Sequence, residues 1–193
     1  MYRQQRPLPY VFEDRTGQLL GSDFDDMYDR LFFRVSRPVP NKPVTMIYDM
    51  GRRATRHRDS LPFKRDPIAI LEFGQGESLG NITYCTQKGS TNVSIPMNRY
   101  LRKTSLFGGS LSRKFTGSDG REYRWSYRTT PGQEWTLTTG DNYLVAHFDL
   151  KPPDVWVMDV SGNTLTVYET FIHLSVEILA TLTIMRHIAQ YNL

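Results

Sequence analysis

The segment that most restricts the fold lies near the end of the chain. Phe171 to Gln190 reads FIHLSVEILATLTIMRHIAQ, and Thr170 stands where a helix cap belongs, so the sequence predicts a helix about 30 Å long at 1.5 Å per residue. At 100° per residue, Phe171, Leu174, Val176, Ile178, Leu179, Leu182, Ile184 and Met185 spread around most of its circumference. Only His173, Glu177 and Thr181, at i, i+4 and i+8, form a coherent polar stripe. A helix apolar nearly all round must be buried on nearly all sides. His173 and Glu177 are then expected to touch as a polar pair inside an apolar core. The longest run without an ionisable group, Ile178 to Met185, falls far short of the ~20 residues a bilayer requires, so no transmembrane segment is expected.

What surrounds such a helix must be the rest of the chain, which reads as strand after strand. Leu31-Phe33-Val35, Val44-Met46-Tyr48 and Ile68–Phe73 carry period-two or fully apolar strand patterns. Tyr123-Trp125-Tyr127 alternates with Glu122, Arg124, Ser126 and Arg128. Further strands are expected at 81–86, 134–139, 143–149, 155–160 and 164–168. Turn chemistry separates them at Gly74-Gln75-Gly76, Ser118-Asp119-Gly120, Thr139–Asn142 and Ser161-Gly162-Asn163. The total is on the order of a dozen strands. An eight-stranded barrel fills itself with side chains, whereas larger cans enclose a helix. The expected fold is therefore mainly β: a closed antiparallel barrel of about twelve strands enclosing the hydrophobic C-terminal helix. A sandwich with the helix in a groove is the alternative, and it would leave a broader polar face.

Residues 1–30 differ in composition. Arginines and prolines lead into Asp23, Asp25, Asp26 and Asp29 around Phe24, Met27 and Tyr28. They read as an N-terminal extension packed on or trailing from a domain spanning 31–193. The acidic cluster lacks the spaced oxygen ligands and glycine of a calcium loop and reads as a solvated face. Cys85 is the single cysteine, so no internal disulfide framework is expected. Residues 1–20 carry no apolar core of a secretory signal. An intracellular, cytoplasmic location is expected, with peripheral membrane association compatible with it.

The run SRKFTGSDGREYRW (Ser112–Trp125) resembles an uncharacterised fungal family of tubby C-terminal-like domains, of the tubby, scramblase and LURP-one-like kind. Phe115, Asp119-Gly120, Tyr123 and Trp125 carry the likeness, with weaker support from Trp135–Leu150 and the terminal helix. The resemblance implies a twelve-stranded barrel around a hydrophobic helix. Tubby proteins bind phosphoinositides and scramblase-type domains act at membranes, but no phosphoinositide motif transfers residue by residue, and fold alone does not give function.

No catalytic constellation stands out, so no enzyme is expected. Gly74-Gln75-Gly76 with Gly80 has the wrong spacing for a dinucleotide loop and precedes a strand. The histidines His57, His147, His173 and His187 show no metal-ligand spacing, and neither a metal nor another cofactor is implied. Cys85 lacks a basic neighbour and reads as a small buried hydrophobe.

Basic segments carry the remaining signal. The overall charge of +4 is mild. Between 52 and 65, however, Arg52, Arg53, Arg56, Arg58, Lys64 and Arg65 stand against Asp59 alone, a local balance of +5 in a long exposed loop. Near an anionic leaflet each such charge contributes ~1 kcal/mol. A second run comprises Arg99, Arg102, Lys103, Arg113 and Lys114. Too few aromatics interleave with these charges to favour nucleic acid. The expected function is a non-enzymatic binding module for anionic phospholipid headgroups through residues 52–65, the alternative being a protein–protein interaction module with no lipid ligand.

Overall fold

A computed structural model of the protein describes residues 8–39, 41–52, 65–76, 78–85, 92–105 and 110–193. Its strands in chain order are β1 (Tyr10–Asp14), β2 (Ser22–Asp26), β3 (Phe32–Ser36), β4 (Val44–Gly51), β5 (Ala69–Glu72), β6 (Asn81–Tyr84) and β7 (Val93–Pro96). After the one-turn helix α1 (Met97–Tyr100) come β8 (Arg102–Lys103), β9 (Arg113–Thr116), β10 (Glu122–Tyr127), β11 (Trp135–Thr139), β12 (Leu144–Asp149) and β13 (Asn163–Val167). A 3-10 helix (Glu169–Leu174) then leads into α2 (Ser175–Tyr191).

All thirteen strands belong to one antiparallel sheet ordered β7-β6-β5-β4-β3-β2-β1-β13-β12-β11-β10-β9-β8. It consists of two meanders joined where β1 pairs with β13, Tyr10 opposite Val167 and Asp14 opposite Asn163. The expected closed barrel is thus corrected: β7 and β8 are two edges, and among the described residues no ladder joins them. The break coincides with α1, the connection between those edges. Local chemistry explains why pairing stops there. β7 finishes at Pro96, which has no N–H to donate, and β8 is only two residues long and wholly charged. Met97 and Leu101, at either end of α1, are buried in the core instead.

The apolar helix behaves as its composition demands. Ile178, Leu179, Leu182, Ile184, Met185 and Ile188 are all buried, in one core with Phe12, Phe24, Ile47, Leu71, Ile82, Phe115, Trp125, Leu137 and Phe148 from the strands. The segment Glu169–Tyr191 is long and apolar enough to cross a membrane by length and composition, but most of it is buried within the protein, as a core helix is. Its start differs from expectation. Thr170 lies inside the 3-10 turn and makes no side-chain cap, and α2 begins at Ser175. Thr181 on α2 is satisfied from within: Trp125 Nε1 donates to Thr181 Oγ1 at 2.9 Å, and that hydroxyl donates to the Glu177 carbonyl at 2.7 Å.

Two local readings change at the chain's beginning. Residues 10–14 and 22–26, expected within an extension, form β1 and β2 in the middle of the sheet. The acidic cluster is not a solvated face either. Asp25 and Asp26 are buried, Asp26 against Arg30 at 2.7 Å and Asp25 against Arg15 at 2.7 Å, while Asp23 meets Arg34 at 3.0 Å. Burial alone would raise Asp26, but hydrogen bonds from Arg30 and Val11 outweigh it and hold the carboxyl below its ordinary range. A third difference concerns 155–160, expected as a strand: Val155, Trp156 and Met158 are exposed in the irregular connection between β12 and β13.

Candidate functional site

The register of the strands defines two ends of the sheet. At the proximal end, where α2 begins, lie the β2–β3, β4–β5 and β11–β12 connections and the Gly117–Gly120 turn. At the distal end, where α2 finishes, lie the β1–β2, β3–β4 and β12–β13 connections.

Of the six basic residues expected to bind anions, Arg52 and Arg65 are described. Both are exposed at the proximal end, one after β4 and the other before β5. Arg65 folds back so that Nη1 donates to the Asp49 carbonyl at 2.9 Å. Arg53, Arg56, Arg58 and Lys64 lie outside the described residues. The second basic run is largely spent internally. Arg113 is buried, donating to the Ser110 and Leu193 backbone oxygens, and burial lowers its pKa. Arg102 and Lys114 both reach Glu122, at 3.5 and 3.1 Å.

Sequence reasoning missed the apolar component of this end. Met27 and Tyr28, in the β2–β3 turn, are 66% and 59% exposed, and Tyr143, in the β11–β12 turn, is 70% exposed. The sequence places Met27 and Tyr28 in an acidic extension and Tyr143 at the start of a strand, and only the register shows that turns project them at one end. The Arg30 guanidinium lies over the Tyr10 ring at 3.6 Å and near Tyr28 at 5.1 Å, fixing the β2–β3 turn from below.

A polar cluster sits beneath the same end. Glu177 accepts hydrogen bonds from the Ser118 N–H at 3.0 Å, the Ser118 hydroxyl and the Tyr100 hydroxyl at 3.3 Å, and Tyr84 joins through Tyr100 at 3.2 Å. Burial raises both tyrosines above their ordinary value; the hydrogen bond from Tyr84 opposes this at Tyr100, and the Glu177 charge adds to it at both. The expected His173–Glu177 contact is not formed. His173 falls in the 3-10 segment, where the i, i+4 phase of an α-helix is not kept, and its Nε2 lies 3.9 Å from Asp119 instead. Asp119 also accepts from Tyr123 at 2.6 Å; burial opposes ionisation, but these bonds hold its pKa low. The cluster ties α1, the Gly117–Gly120 turn and α2 together, and its donors and acceptors are spent on one another.

Chemistry of other kinds finds little purchase. Burial pushes the Cys85 thiol up, and the charge of Asp66 adds to this, the reverse of an activated thiolate. Among the described residues no cluster of three His, Cys, Asp or Glu side chains is arranged to hold a metal.

Residues 22–190 match the family described as "Family of unknown function (DUF6593)", and the chain belongs to that family. It is also similar to the X-ray structure of a protein from Arabidopsis thaliana, at 14% identity over 92% of this chain and 93% of that one, with a TM-score of 0.43. A search of curated proteins finds no match.

Proposed function

We propose that the chain is a non-enzymatic module that binds anionic phospholipid headgroups with the proximal end of its sheet. The observation that carries the reading is that exposed Arg52 and Arg65, which flank the basic sequence 53–64, share this end of the sheet with exposed Met27, Tyr28 and Tyr143. Cations attracted to an anionic surface, beside aromatic and thioether side chains suited to the headgroup layer, are the composition of a peripheral membrane contact. On this reading the protein works in the cytoplasm, at the anionic inner leaflet. We further infer kinship with tubby C-terminal-like domains, supported by the Phe115–Trp125 hairpin and the buried terminal helix.

Liposome sedimentation tests the proposal. Binding is expected to phosphatidylserine vesicles, to weaken as salt rises, and to fall several-fold in Arg52→Glu/Arg65→Glu. Binding no stronger than to phosphatidylcholine alone would remove the lipid reading. The tubby kinship adds that phosphoinositide outperforms phosphatidylserine at equal vesicle charge; equal binding would count against it. A second reading, a protein-interaction module, is favoured by Trp156, 80% exposed at the opposite end with Val155 and Met158. Its signature would be a partner lost on Trp156→Ser with vesicle binding intact.

A further inference from the structure

A cavity of about 410 Å³ opens at the distal end, beside the last turns of α2 and remote from the proposed lipid contact. Leu20, Pro43, Phe73, Tyr191 and Leu193 give it apolar and aromatic walls, and Arg37 and His187 also line it; among the described residues no Asp or Glu side chain does. Its size is that of small-molecule sites, which combine apolar walls with a few convergent polar groups.

Those polar groups keep hydrogen-bonding capacity that no protein group uses. Most described arginines that line depressions are neutralised by a carboxylate, as Arg34 is by Asp23 and Arg186 by Asp14 at 3.3 Å. Arg37 instead donates only from Nε, to the Lys42 carbonyl at 2.8 Å, which leaves the Nη edge of its fork. His187 is more telling. It is 8% exposed, stacked on Phe73 with ring centroids 4.1 Å apart and tilted against Tyr191 at 4.6 Å, and its Nδ1 is sealed without a hydrogen-bond partner. Burial lowers its pKa, so the ring stays neutral and carries one N–H. With Nδ1 sealed in, that proton is best placed on Nε2, where it can donate into the cavity.

We propose that this cavity binds a small aromatic carboxylate, its ring against the Phe73, His187 and Tyr191 group and its carboxylate held by Arg37 and the His187 Nε2–H. A planar apolar body matches the aromatic wall, and an anion matches a guanidinium edge that no Asp or Glu among the described lining residues opposes.

Naphthoate serves as the probe, with naphthyl methanol as its neutral counterpart, titrated calorimetrically into the full chain. Saturable naphthoate binding is expected, about tenfold tighter than the alcohol's. Arg37→Gln, at an exposed position, should fold normally and weaken naphthoate by about tenfold while leaving the alcohol unchanged. His187→Phe keeps the ring stack and removes the donor, so it should weaken naphthoate several-fold. Absence of saturable naphthoate binding to the wild-type chain overturns the proposal, as does equal affinity for acid and alcohol. Arg37→Gln binding naphthoate as the wild type does would overturn it too, whether or not His187→Phe folds.

Discussion

Replacing Glu177 by alanine removes the one acceptor shared by the Gly117–Gly120 turn, α1 and α2. Three donors lose their partner: the Ser118 N–H, the Ser118 hydroxyl and the Tyr100 hydroxyl. The backbone N–H cannot turn away, so it costs about 1–3 kcal/mol if left unmet, whereas each hydroxyl can reorient and costs about 1 kcal/mol. The sum, about 3–5 kcal/mol, is a large share of the ~5–15 kcal/mol that holds a domain. For a chain of this size it corresponds to a fall in Tm of about 6–20 °C. Glu177→Gln keeps the shape and one acceptor oxygen, and should lose less than half as much. Urea unfolding followed by tryptophan fluorescence measures both, since Trp125 bonds Thr181 one turn along the same helix. An alanine variant within about 1 kcal/mol of wild type would refute the reasoning. So would a glutamine variant as damaged as the alanine one, because the effect would then not come from lost acceptors.

Other consequences are equally direct. Asp26→Asn should destabilise the chain at neutral pH by about 2–3 kcal/mol, since it breaks the pair of a buried carboxylate with half-buried Arg30. The folded pKa of Asp26 is depressed, so its contribution is present above the unfolded value of about 4 and lost as pH falls through the folded one. The gap between variant and wild type should therefore close only below about pH 4 in urea titrations; a gap that closes between pH 7 and 5 would contradict the assignment. Two glycines with positive φ should separate cleanly. At Gly120, φ is +78° and a Cβ would meet open space, so Gly120→Ala should cost about 1–2 kcal/mol of backbone strain. At Gly80, φ is +90° and a Cβ would fall 1.8 Å from the Glu72 carbonyl oxygen, so Gly80→Ala should abolish cooperative thermal unfolding; similar melts for the two variants would tell against this account.

What could be read from sequence was what local pattern determines. The 3.6-residue spread of apolar side chains from Phe171 to Met185 implied a helix buried on nearly all sides; Ile178 to Met185 are buried throughout, while Phe171 and Val176 are half-buried. The Asp119-Gly120 turn followed by Tyr123, Trp125 and Tyr127 implied a hairpin with the three aromatics on one face; Tyr123 and Trp125 are fully buried and Tyr127 is half-buried. Closure of the sheet was not legible, because it depends on whether two distant edges pair, and Pro96 and the two-residue β8 decide that locally in a way strand counting ignores. The acidic β2 misread as surface because its carboxylates take partners from neighbouring strands and turns, Arg15 and Arg34 among them, rather than from their own segment. Apolar alternation in Val155–Val160 looked like a strand, yet no neighbouring strand pairs with it. For the candidate site, the basic content of the β4–β5 connection was evident in sequence. The company it keeps, Met27, Tyr28 and Tyr143, arises from register alone.

The central claim is that the proximal end meets anionic lipid, and hydrogen–deuterium exchange of the full chain on phosphatidylserine vesicles tests it by position. Peptides covering 26–31, 49–68 and 139–144 should gain protection relative to the chain in buffer, while 150–162, which carries Trp156 at the distal end, should exchange at its unbound rate. Protection confined to 150–162, or no vesicle-dependent protection at 49–68, would contradict the account.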